Sequence, residues 1–324
     1  MRIYAPVIVH FLGIACGTAP ALAQDWPTHQ LTMVVPWAAG GGTDIMGRIM
    51  ARRMSEILGQ TVIVENLAGG GGMAGASHVA RADADGYTFI LGSRSEAIDM
   101  TLYKHPTYSL KDDFAPVVLV ADQPTILVAR KDFPVDGLKD FVTYVKQNAS
   151  TMKMGAAGVG STGAIDCALF NGMIGVNIQP IPYRGSGPAM QDLIGRQFDY
   201  LCTISGSAAG PLQGGQVKGI AVFTHDRMPS LPDLPTAYEQ GLNFEGTTWS
   251  GFLAPKGTPP EIVKKLHDAS VAAMETAEVQ DDLAKNGTYV VAPERRSTEY
   301  FQSIIGPEIE KNGAPLKAAG VTVD

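Results

Sequence analysis

The sequence predicts an α/β fold of two lobes, each a mainly parallel sheet flanked by helices. Three observations carry this. Short apolar strands alternate with amphipathic helices along nearly the whole chain, the pattern of β-turn-α units. The strand-to-helix turns are repeatedly rich in glycine and serine. The chain has 324 residues, more than one small core organises, yet no low-complexity stretch or flexible linker divides it.

The elements follow in order. Leu31–Val35 is an apolar run and the first strand. Residues 44–58 place Ile45, Ile49, Met50, Met54, Ile57 and Leu58 at close to helical spacing, and Gly59 stops the helix. Residues 62–64 form a second strand, "GGGGMAGASHVARA" opens a second helix, and "YTFILG" follows the Asp85-Gly86 turn as a third strand. "PTILVAR" is a strand, and "VDGLKDFVTYVKQNA" is a helix with Leu138, Phe141, Val142 and Val145 on one side. "MKMGAAGVGSTGAIDCALFNGMIG" and "IQPIPYRGSGPAMQDLIGRQ" each run strand, turn, helix, and "GIAVFTH" is a further strand. Two helices close the chain, "PPEIVKKLHDASVAAMETA" and "STEYFQSIIGPEIEKNGAPLKAAG"; Pro307 and Pro315 are expected to interrupt the second.

Composition narrows the function. Hydrophobic residues make up 45%, charged residues 18%, and the net charge is −7 with no basic block, which argues against a nucleic-acid partner. Arg2 is the only charge before Asp25; an apolar core near residues 7–14 and the small residues Ala21-Leu22-Ala23 then read as a cleavable export signal over residues 1–23. The alternatives are a buried N-terminal strand, or a lipoprotein site at Cys16, where Gly13 replaces the expected leucine. Cleavage leaves Cys167 and Cys202, which either form a disulfide in an oxidising compartment or serve as two small buried residues. His29, His78, His105, His225 and His267 are scattered without metal spacing, and no serine sits in G-x-S-x-G. No cofactor, metal or catalytic residue is therefore expected.

The turn at Gly40-Gly41-Gly42 raises the question of what it holds. The chain has no Walker loop, and Thr43, Asp44, Ile45 and Met46 after the glycines break the dinucleotide pattern. General physics remains. Glycines let backbone approach a ligand, and the first amides of a helix carry partial positive charge suited to a carboxylate. The plainer alternative is a tight turn capped by Thr43 or Asp44. Similar turns recur at 91–97, 158–162 and 183–189, at the carboxyl ends of strands, where open α/β sheets bind ligands. Two such turns per lobe suggest half-sites facing across a cleft.

These segments also carry a resemblance. "VVPWAAGGGTDIMGR", "VIVENLAGGGG", "ADGYTFILGS", "DDFAPVVLVA", "GSTGAIDCALF", "IPYRGSGPAMQDLIGRQFDY", "LPDLPTAYEQG" and "TTWSGFLAPKGTPPEIVKKL", in this order, resemble the Bug-type receptors of tripartite tricarboxylate transporters. The resemblance implies a type II periplasmic binding protein, a Venus flytrap closing on a small carboxylate that it delivers to a large and a small membrane subunit. It implies a monomer in the periplasm, with lobe one at 24–123 plus 224–324 and lobe two at 124–223. It points to Trp37, Gly41, Gly42, Thr43, Asp44 and Ser93 from lobe one as ligand-binding. From lobe two it points to Gly160, Ser161, Thr162, Tyr183, Gly185, Ser186 and Thr203. Asp44 is expected to cap amides or water and not to touch the anion. Arg94 and Arg184 depart from the family pattern. Each either grips a second carboxylate or is a surface arginine paired with a nearby acid, such as Glu96 beside Arg94. With Thr203 where many members have aspartate, the expected ligand is a dicarboxylate, aliphatic or aromatic, with a monocarboxylate next. An exported α/β enzyme acting on a carboxylate, or a ligand sensor for a membrane kinase, are the other readings.

Overall fold

The computed structural model describes Met1 and residues 26–318, with side chains to residue 313. The expected signal segment and Cys16 lie outside the described residues.

The first run is β1 (Leu31–Val35), α1 (Gly42–Leu58), β2 (Val62–Asn66), α2 (Met73–Ala80), β3 (Thr88–Ser93), α3 (Arg94–Leu102) and β4 (Phe114–Arg130). The second is α4 (Leu138–Asn148), β5 (Met154–Ala156), α5 (Thr162–Met173), β6 (Pro180–Pro182), α6 (Ser186–Ile194), β7 (Tyr200–Ile204), α7 (Ser205–Gln213) and β8 (Val217–Val222). The third is β9 (Thr247–Pro255), α8 (Pro260–Met274), α9 (Ala277–Lys285), β10 (Tyr289–Val290) and α10 (Thr298–Ala318).

Each lobe has a parallel trio, β2-β1-β3 in lobe one and β6-β5-β7 in lobe two. Antiparallel strands join them. β4 is central to both: its first part pairs with β9 and β10, its last part with β7 and β8. Only a strand apolar on both faces survives such burial, and β4 meets the condition with Val117 through Ala121 and Ile126 through Ala129 all fully buried.

Strand alternation builds a core on each face of each sheet. In β1, Leu31, Met33 and Val35 pack with Met46, Met50 and Met54 of α1 and with Leu266 and Met274 of α8. Val34 points the other way, toward Ala76, Ala97, Phe301 and Ile305. In lobe two, Phe141, Phe170, Tyr200 and Phe223 fill one face, and Leu193, Phe198 and Leu201 the other. Gly59 ends α1 at φ +67°, a left-handed position that favours glycine.

Beside the middle of β4, the Thr125 amide donates to Gly246 O and the Gly246 amide to Phe223 O, both at 2.8 Å. After 223, where the return to lobe one is expected, Met228, Ala237 and Phe244 are buried in clusters that also hold Tyr200, Leu201 and Phe223. Two expectations meet their outcome here. Helix α10 continues through Pro307 and Pro315; fully buried Phe301 and nearly buried Ile305 anchor it, and tertiary packing overrides the proline penalty. The open question about Cys167 and Cys202 resolves as a disulfide joining α5 to β7, with Cα atoms 5.4 Å apart.

That bridge spans 35 positions of sequence, and chain entropy assigns such a loop about 4 kcal/mol at most. A Cys167→Ser/Cys202→Ser protein is expected to lose ~2–4 kcal/mol in urea unfolding. A loss well under 1 kcal/mol would mean that packing alone holds α5 on β7.

Candidate functional site

Five helices begin at one place. A cavity lies between the lobes. It is lined by residues from the first turns of α1 (Thr43), α3 (Ser93 and Ser95), α5 (Ser161, Thr162 and Gly163) and α6 (Ser186), and by Ile204, which precedes α7. Trp37, Ala157, Cys202 and Thr203 complete the walls, with Thr248 and Ser250 of β9. Among the described residues that line it, none carries a charge. The positive ends of the helix dipoles converge on a space otherwise walled by hydroxyls and apolar groups, an arrangement suited to an anion.

The glycine turn is held by Asp44. Its carboxylate accepts from the Gly40 amide at 2.9 Å, from Asn66 Nδ2 at 3.0 Å and from Arg48 at 2.9 Å. Burial alone would raise this carboxyl, but the bonds from Arg48, Gly40 and Asn66 outweigh it and hold it below the usual carboxylate range. Asp44 thus clamps the loop and does not line the cavity. Ser93 is equally committed. It caps α3 in a capping box with Glu96, whose Oε2 accepts from both the Ser93 amide and hydroxyl. Glu96 is fully buried, and desolvation pushes its pKa up to about 7 against those two bonds.

The lobes are closed on one another, with backbone amides at the seam. The Gly42 amide donates to Ser207 Oγ at 2.8 Å, the Thr162 amide to Ser95 Oγ at 3.1 Å, and the Ala38 amide to Arg184 O at 3.0 Å. A Cβ on Gly42 would lie 2.8 Å from the Gly206 carbonyl carbon, and one on Gly41 2.5 Å from Ser186 Oγ. Gly185 carries φ +158°, and its Cβ would meet the Ala38 nitrogen at 2.9 Å. Trp37, 8% exposed, wedges its ring between Gly72 of lobe one and Gly158 of lobe two.

Of the residues singled out from sequence, Trp37, Thr43, Ser93, Ser161, Thr162, Ser186 and Thr203 come together around the cavity. Gly41, Gly42 and Gly185 form the interlobe contact, and Gly160 faces Asp99 of α3. The Tyr183 hydroxyl donates to Asp192 at 2.7 Å, and the Arg184 side chain is exposed. Arg94 is the main departure. Its guanidinium is spent on protein: Nη1 donates to Asp166 of lobe two at 2.9 Å and to Thr247 O at 3.1 Å, and Nε and Nη2 donate to Asn312 of α10 at 3.1 and 2.9 Å. The acid it pairs with is Asp166, not the adjacent Glu96.

Sequence reasoning passed over Ser95, Thr248 and Ser250. Ser95 stood in the turn at 91–97, and Thr248 and Ser250 lie at period two, after Thr247, at the start of a mostly apolar strand. Ser250 Oγ and Thr203 Oγ1 are both buried in the cavity wall without a hydrogen-bond partner.

The comparisons agree with this geometry. The profile of the family described as "Tripartite tricarboxylate transporter family receptor", TctC, matches residues 46–321. The periplasmic binding protein BugD aligns at a TM-score of 0.89 and 38% identity, covering 92% of this chain and 99% of its own. MatC from Rhodopseudomonas palustris, solved with malate bound, aligns at 0.87 and 35%, covering 90% and 100%. An R. palustris protein solved with adipate aligns at 0.85 and 33%, covering 92% and 99%. The chain belongs to the tripartite tricarboxylate transporter receptor family and is a Bug-type periplasmic solute-binding receptor, not an enzyme.

Proposed function

We propose that the protein captures a small dicarboxylate in the interlobe cavity and presents it, closed, to a membrane transporter. The observation that carries this is the convergence of five helix N-termini on a cavity that, among the described residues, no charged side chain lines. One carboxylate rests on the amides and hydroxyls at the starts of α1, α5 and α6, through Thr43, Ser161, Thr162 and Ser186. The second meets Thr203 and Ser250, whose hydroxyls have no other partner. Burying those hydroxyls unpaired costs free energy that a ligand oxygen recovers. The malate of MatC and the adipate of the second R. palustris protein are dicarboxylates, in keeping with this assignment. Arg94 and Arg184 are left out of the ligand set.

The same reading makes residues 1–23 a cleavable export signal, the working form a monomer, and the receivers a large and a small membrane subunit. Lobe one is residues 26–123 with 247–318, and lobe two is 125–246, swinging on the crossings at β4 and at Gly246–Thr247. A ligand that touches both lobes shifts the population toward the closed form.

Thermal melting against matched mono- and dicarboxylates, with amino acids as controls, tests the assignment. A ligand at about 100 times its Kd should add ~2.7 kcal/mol of stability; a panel in which amino acids shift the melt and acids do not would sink it. Gly42→Val is expected to abolish the ligand shift while the unliganded melt stays near wild type, because the new side chain blocks lobe two and leaves each lobe's core intact. Thr203→Val and Ser250→Ala should each weaken a dicarboxylate by ~1.5–3 kcal/mol and its monocarboxylate analogue far less; equal losses for both would remove these hydroxyls from the second subsite. Arg94→Ala leaves Asp166 buried without its cation, so a stability loss of ~3–5 kcal/mol is expected in denaturant unfolding. A selective loss of dicarboxylate binding at unchanged stability would return Arg94 to the ligand.

A further inference from the structure

Asp99 sits on the side of α3 that faces lobe two. Its carboxyl is fully buried. Oδ2 accepts from the Tyr108 hydroxyl at 2.9 Å, and Oδ1 has no hydrogen-bond partner. The other lobe seals that orphan oxygen: a Cβ built on Gly160 would lie 2.6 Å from it. Ile98 and Leu102 of α3 pack beside it against Ile165 of α5.

The surrounding charges leave Asp99 uncompensated. On its own helix Glu96 faces it and repels its charged form. Tyr108 donates to it, and its charge raises Tyr103 in turn. The covering loop of lobe two, residues 158–161, has no titratable side chain. On α5, Asp166 is held by Arg94. On α10, which packs against α3, Lys311 acts on Asp166 and Glu308 accepts from Trp249.

We propose that Asp99 takes up a proton as the lobes close and gives it up as they part, so that closure of this receptor is favoured by lower pH. Gly160 is the lid on Asp99 Oδ1; when lobe two swings away, water reaches the carboxylate and its charged form is solvated again. In the closed form burial, and then the charge of Glu96, raise the Asp99 carboxyl well above its ordinary value. The sign follows. A group with a higher pKa in the closed form stabilises that form fully below its open-form pKa, about 4 for a solvated aspartate. That stabilisation is lost as pH rises through the closed-form value. Within the window, one linked proton changes the closed-to-open ratio by about tenfold per pH unit.

The test needs no ligand, so it stands apart from the substrate assignment. Spin labels at Ile57→Cys on α1 and Met173→Cys on α5, both exposed, report the lobe separation by pulsed electron resonance from about pH 4, the solvated aspartate value, to about pH 8. The closed-distance fraction should grow as pH falls. Asp99→Asn should flatten that response, and Glu96→Gln, which keeps the helix cap but removes a neighbour whose charge repels that of Asp99 above about pH 7, should keep it and move its midpoint to lower pH. A wild-type response that Asp99→Asn leaves unchanged, whether flat or steep, overturns the proposal. So does a Glu96→Gln midpoint that stays where it was, which also decides the matter if Asp99→Asn fails to fold.

Discussion

The cleft depends on backbone meeting backbone. Gly41 and Gly42 lie against Ser186, Gly206 and Ser207, Gly185 against Ala38, and Gly160 against Asp99. At each of these contacts a single added methyl would sit closer than a van der Waals approach allows. Because the lobes close this tightly, the first turns of five helices reach a common cavity, and their amides and hydroxyls substitute for a cation. A site built from side-chain charge would tolerate a looser seam; one built from helix ends does not, since the dipole's effect fades within a turn.

The same closeness explains what the arginine does. Arg94 stands at the first position of α3, beside the cavity, yet its donors are spent on Asp166, Asn312 and the Thr247 carbonyl. It ties α3, α10 and the start of β9 to α5 across the lobe boundary. Asp166 in turn accepts from the Thr125 hydroxyl at 2.7 Å, on the strand where the chain crosses. The charge pair therefore braces α5 against the middle of β4.

Much of this was legible in the chain. Strand and helix periods located most elements, because amphipathic spacing survives any choice of neighbour. The glycine turns at 40–42, 158–162 and 183–189 lie at the seam between the lobes, because only glycine lets backbone approach so closely there. The capping box at Ser93 and Glu96 is written in four residues. Asp44 was readable as an anchor of amides, and the structure adds the two side chains, Arg48 and Asn66, that complete its clamp.

Other features were not local, and no local pattern could hold them. Whether Arg94 faced a ligand or an acid turned on Asp166, 72 positions away, and the bond between Cys167 and Cys202 on two Cβ atoms meeting across α5 and β7. Irregular chain after 223 buries Met228 and Phe244 among the second lobe's core residues, and no local period announces it. Thr203 and Ser250 share the cavity wall only through the meeting of β7 and β9 at β4. The sequence by itself determined which segments become strands, helices and close-approach turns, because those follow from backbone preference and hydrophobic period. Tertiary structure alone decided which polar groups find partners and which are left open to a ligand, because pairing is a property of distance in space.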